Sequence, residues 1–174
     1  MKLTWFGNST FRVHIGGQIV VVDADGAPYG VDGNELVSGA DHVVEWNGNR
    51  SITDLRSWKP RQRQRLLDAG EQPRPVEVWS AAPDCLLIDA DEDMPLLLIA
   101  GAMPEVGRWA ENTVIALAGQ GLAQRGEQLV EAVIPRLIAL AADDAELDTA
   151  FAQLPPKLDG AGLIALEPGL AVEV

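Results

Sequence analysis

Residues 2–7 alternate apolar and polar side chains with period two, the pattern of a half-buried strand, and the first 25 residues read as a β-meander. Strands are predicted over residues 2–7, where Leu3 and Trp5 share one face, and over 10–15. Gly16-Gly17 supplies a two-residue hairpin turn into a third strand over 18–23, whose apolar run IVVV ends in Asp23. Residues 24–39 are dense in Gly, Pro, Asp and Asn and read as a loop. A short strand is expected over 40–46 and a helix over 54–69, with Pro60 near its start and Gly70 as its stop. A further short strand is expected over 77–80. Runs at 85–89 and 96–100 form a hairpin around Asp91-Glu92-Asp93, and 113–118 is a buried strand. A helical pattern follows over 127–140, interrupted by Pro135, then a short helix over 147–154. One or two terminal strands lie around Pro168-Gly169 within 164–174. Strands dominate early and helices separate later strands, so the class is mixed α/β (α+β).

Composition narrows this picture. The chain has 174 residues, 47% of them apolar, which suits one domain with a core of its own. Its 26 acidic and 13 basic residues leave a net charge of −13, a field that repels phosphate and argues against nucleic acid or an anionic membrane as partner. Cys85 is the single cysteine, so no internal disulfide forms; set beside Leu86, Leu87 and Ile88 it reads as a buried thiol. A disulfide-free acidic chain whose N-terminus lacks the apolar core of a signal peptide fits the cytoplasm. No apolar run is long enough for a membrane span.

The order of landmarks resembles the metallo-β-lactamase superfamily, in particular the lactonase-like branch related to ascorbate-6-phosphate lactonase. That branch opens with a strand, Gly-His-Ser, a strand, Gly-Gly and an apolar strand ending in Asp. Here Trp5-Phe6-Gly7-Asn8-Ser9-Thr10-Phe11 and Ile19-Val20-Val21-Val22-Asp23 follow that layout. Ala40-Asp41 and Val43-Val44 then lead to Asn47-Gly48-Asn49-Arg50-Ser51-Ile52, with Asp54 close behind, where the family has His-x-His-x-Asp-His. Ala100-Gly101-Ala102 stands for a family Ala-Gly-Asp, residues 136–144 for a strand carrying a histidine, and Glu167-Pro168-Gly169 for the closing turn. The resemblance implies a short four-layer αββα sandwich.

It also implies zinc, and the ligands are missing. Family histidines and aspartates hold the metal that lowers the pKa of the attacking water. Their places here read Asn8, Asn47, Asn49, Ser51, Ile52, Ala102 and Ala142. The two histidines, His14 and His42, lie in strands outside those places. An Asn amide oxygen is a poor zinc ligand and Ile has no donor, so no cofactor is expected. Two readings of Asn47-Gly48-Asn49 stand: replacements that hold a vacated metal loop by hydrogen bonds, or a plain surface turn, for which Asn-Gly is a common pair. Asp23 and Asp54 survive at family positions as supporting residues. With Asp25 and Asp32 they form a conceivable hard-cation set whose spacing matches no known loop.

Seven of the 13 basic residues fall within 50–74. Arg50, Arg56, Arg61 and Arg65 are candidates for an anion or partner contact, against the alternative of a solvated helix face. Trp46, Trp58 and Trp79 flank them and would mark an interface if exposed, core if buried. The leading expectation is a metal-free, catalytically inactive relative of these hydrolases that binds or scaffolds, its partner a second copy of itself or another protein. The alternatives are a hydrolase of a phosphorylated or lactone-like molecule with a site rebuilt around Asp23, Asp54 and the arginines, and a small-ligand sensor using the old cleft.

Overall fold

A computed structural model describes residues 1–61, 74–91 and 93–174. Strands β1 (Lys2–Gly7), β2 (Thr10–Ile15) and β3 (Gln18–Val22) form the expected meander. Gly16 and Gly17 both take positive φ, +55° and +74°, as a two-residue turn matched to strand twist requires. Strand β4 (His42–Val44) pairs parallel to β3, and β11 (Ala171–Glu173) pairs antiparallel to β1, giving the order β11-β1-β2-β3-β4.

The second sheet has the order β10-β9-β8-β7-β6-β5. Its members are β5 (Glu77–Ala82), β6 (Cys85–Asp89), β7 (Leu96–Ile99), β8 (Val114–Ala118), β9 (Leu137–Ala141) and β10 (Gly162–Ala165). From β7 to β10 the pairing is parallel. Such a sheet is covered on both faces, so its strands read as continuous apolar runs with two destinations. Leu86, Ile88, Leu96, Leu98, Val114, Ala116, Ala139 and Ala141 meet Leu3, Trp5, Phe11, Val13 and Val20 of the first sheet. Their alternates, Cys85, Leu87, Leu97, Ile99, Ile115, Leu117, Ile138 and Leu140, pack on the opposite face against helices α2 (Leu122–Ala132) and α3 (Asp144–Gln153). Cys85 is fully buried there and its thiol is pushed up to about 12 by that burial.

The class is therefore mixed α/β, with two mixed sheets sharing one core. On the first sheet's outer side lies a short helix, α1 (Gly33–Val37). Arg12 of β2 donates to the carbonyls of Glu35, Leu36 and Ser38, which closes the end of that helix.

Three expectations about elements need correction. The loop over 24–39 contains α1, because the Asp32 carboxylate accepts from the amides of Asn34 and Glu35 at 2.8 and 3.4 Å and caps a helix start. The helix placed at 127–140 is two elements: α2 begins earlier, after a left-handed Gly121, and stops at Ala132, while 137–141 is strand β9. Pro135 is the boundary between them. Of the helix placed at 54–69, positions 54–61 hold a turn at 55–57 and no helix, and positions 62–69 lie outside the described residues.

Candidate functional site

Strand directions carry Asn8, Asn47, Ala102 and Ala142 to one rim of the two packed sheets. In the first sheet β1, β3 and β4 end there, and β2 begins there after the turn Asn8-Ser9. In the second sheet β7, β8 and β9 end there, and the β5–β6 turn Pro83-Asp84 lies beside the end of β7. Residues from both sheets meet at this rim. Asn47, in the connector leaving β4, reaches Asp84; and Trp5 and Asn8 line a cleft of about 250 Å³ together with Gly119, Ala142, Asp143 and Glu146.

Asn47 donates from Nδ2 to Asp84 Oδ1 at 2.7 Å and accepts from the Asp84 amide at 3.1 Å. Asp84 in turn gives its carbonyl to the amides of Ala100 and Gly101, at 2.9 and 3.3 Å, just before Ala102. Asn8 takes a left-handed backbone, donates to the Gly26 carbonyl at 3.2 Å, and accepts from the Trp5 indole at 3.0 Å through its own carbonyl. Beside it the Trp46 indole donates to the Ser9 carbonyl at 3.0 Å.

The remaining positions separate. Ser51 and Thr53 pair through their backbones with Ser80 of β5, and Ile52 is turned outward, 85% exposed. Asn49 makes no side-chain hydrogen bond among the described residues. Asp23 accepts from the Ser9 hydroxyl and, through its carbonyl, from Thr10 Oγ1 at 2.7 Å. Asp54 is exposed and accepts from Ser57 Oγ at 2.8 Å and the Arg56 amide at 3.0 Å; these bonds hold its carboxyl below the usual range. Asp32 caps α1, so Asp23, Asp25, Asp32 and Asp54 are not gathered as a cation site.

The arginines do not form one patch either. Arg61 is turned inward: its Nε lies 3.0 Å from the carboxylate of Asp89, which is 2% exposed and ends β6 away from the rim. Arg56 pairs with Glu105 at 3.0 Å on the surface, and Arg65 lies outside the described residues. Arg50 lies against its own turn and donates to the Glu45 carbonyl. Trp58 packs edge-on to Trp79 and Trp109, half-buried over the outer apolar layer, and Trp46 is buried between the sheets.

Two rim residues escape sequence reasoning. Asp84 carries only the signal of a Pro-Asp turn, 37 positions from the asparagine it meets. Arg125 sits on the inner face of α2, 9% exposed, and donates to the carbonyls of Ala118 at 2.6 Å and Gly101 at 3.0 Å, with Ile99 at 3.5 Å. Its spacing from Leu122 and Leu129 places it within an apolar helical stripe, a signal that a charged side chain is being buried. Burial lowers its pKa, Glu146 opposes that shift, and Nε has no partner.

Where the resemblance expects zinc ligands there is no imidazole or thiolate: Asn47 accepts from the Asp84 amide through its side-chain oxygen, and Ile52, Ala102 and Ala142 have no side-chain donor. Among the described residues no group of three or more His, Cys, Asp or Glu side chains is placed to hold a metal ion. No helix among them is long and apolar enough to cross a membrane. Compared with known proteins, the chain matches no family model, no curated protein and no solved structure.

Proposed function

We propose that this chain is a short αββα sandwich of metallo-β-lactamase type that has lost its metal and works by binding, with a second copy of itself or another protein as partner. One observation carries the reading. Asn8, Asn47, Ala102 and Ala142 stand where the resemblance expects ligands, and the topology sends all four to one rim, yet the polar group best placed among them, Asn47, is committed to Asp84. Asn47 is a neutral amide where the resemblance expects an imidazole, and it donates to and accepts from Asp84, so it holds a turn.

The test is metal content by mass spectrometry on untagged protein, before and after incubation with Zn²⁺, Mn²⁺ and Mg²⁺. Near-zero stoichiometry throughout is expected. About one tightly held ion per chain would overturn the proposal. Light scattering across a concentration series then separates self-association from dependence on another protein.

A further inference from the structure

The connector between β4 and β5 holds a cation whose fork is incomplete. Arg50 Nη2 donates to the Glu45 carbonyl, while Nη1 is buried with no hydrogen-bond partner. The Glu45 carboxylate acts on it only at a distance, and Arg50 has no ion pair among the described residues. The guanidinium rests close to Gly48: a Cβ there would lie 2.8 Å from Nη2. Beside it opens a cleft of about 420 Å³. The cleft offers the side chains of Asn49 and Ser80, neither bonded to a described residue, and an apolar wall of Ile52, Ala81 and Pro83.

We infer that this cleft is a binding site for a small monocarboxylate with an apolar tail, the carboxylate paired with Arg50 and hydrogen-bonded by Asn49 or Ser80, the tail lying on Ile52. Arg50 lines the cleft with one donor spent on the Glu45 carbonyl and Nη1 closed off, so a carboxylate would take the N–H groups that remain on Nε and Nη2, in the plane of the guanidinium. The exposed isoleucine next to it has apolar area to cover. A phosphate dianion fits less well: it has nothing to set against the apolar wall, and a chain of net charge −13 repels two charges more than one. The inference rests on the binding reading of the rim, but the two fail separately. Metal uptake with intact carboxylate binding would sink the function and leave the site; a metal-free chain that binds no carboxylate would sink the site alone.

The experiment is calorimetric titration of the full chain with hexanoate, acetate, hexanamide and N-acetylvaline. Hexanoate is expected to bind at least about tenfold more tightly than acetate or hexanamide, because only it presents both charge and tail. Arg50→Gln should weaken hexanoate on the order of tenfold or more, while its melting temperature without ligand stays level or rises, since a desolvated, unpaired cation is removed. Ile52→Ser, on the surface, should bring hexanoate down toward acetate and leave acetate unchanged. N-acetylvaline binding more tightly than hexanoate would identify the C-terminus of a polypeptide as the source, and the reverse order a free acid. Equal hexanoate affinity in Arg50→Gln, or hexanamide binding as tightly as hexanoate, would overturn the proposal.

Discussion

Arg125→Met tests whether the rim is fastened from inside. Methionine keeps much of the apolar stem's volume and removes the guanidinium, which isolates the polar contribution. That guanidinium makes two well-placed bonds, to Ala118 and Gly101, and a marginal one to Ile99. Charge-assisted hydrogen bonds contribute roughly 1.5–3 kcal/mol each, so the two good ones amount to about 3–6 kcal/mol. Against this stands the desolvation of a cation that is 9% exposed, has no carboxylate in contact and leaves Nε unpaired, a cost of several kcal/mol. The variant, however, also strands the Gly101 and Ala118 carbonyls without this donor, so the balance favours the wild type by about 2 kcal/mol. For a domain of this length that is a fall in Tm of roughly 4–8 °C. Urea and thermal unfolding followed by circular dichroism at pH 7 measures it. Arg125→Lys should recover part of the loss, since it keeps the charge and loses the fork. A Met variant as stable as the wild type, or more so, would refute the reasoning, because desolvation would then outweigh the bonds.

Two further outcomes follow from the same geometry. Asn47→Asp sets a second carboxylate against Asp84 in place of a donor; it should lose about 1–2 kcal/mol at pH 7 and regain most of it as acid protonates the pair, read from urea midpoints between pH 7 and pH 4. Cys85 should resist iodoacetamide at pH 8 in the folded chain and react at once in denaturant. Its pKa is raised in the fold from 9.0 to about 12, so its contribution to stability is complete below pH 9 and is lost as pH rises toward 12, a loss that Cys85→Ala should lack.

The strands were legible because their signals are local. Gly16-Gly17 between two β-rich runs fixes a hairpin, and the apolar segments at 85–89 and 96–99 are too short for buried helices. Where a signal depended on context it misled. Residues 137–141, LIALA, suit a helix as well as a strand by composition, and only the parallel pairing with β8 and β10 makes them β9. The start of α2 was hidden because its N-cap is Gly121, which carries no capping side chain. The cap of α1 was readable at Asp32, but a segment so rich in glycine and proline masked it. Of the site, the ends of β1, β4, β7 and β9 bring Asn8, Asn47, Ala102 and Ala142 to one rim, while Ser51 and Ile52 turn away beside β5. The sequence says nothing about Asp84, because a hydrogen bond across 37 positions leaves no periodic trace.

Asn47-Gly48-Asn49 lies in the connector leaving β4, where a turn brings the Gly48 amide to 3.5 Å from the Glu45 carbonyl. Asn47 serves as the tie, and the residue type follows from the partner. Asp84 offers a carboxylate oxygen and a backbone amide at once, so its counterpart must donate and accept from adjacent atoms of one planar group, which asparagine does and aspartate cannot. From there the bonds run on without a gap. The Asp84 carbonyl holds the amides of Ala100 and Gly101, the Gly101 carbonyl takes Arg125, and Arg125 reaches the Ala118 carbonyl at the end of β8. Connector, turn and strand ends are thereby joined through the Asn47 amide, the Asp84 carboxylate and the Arg125 guanidinium together with backbone amides and carbonyls, and that is how a rim with alanines at two expected ligand positions keeps a defined shape.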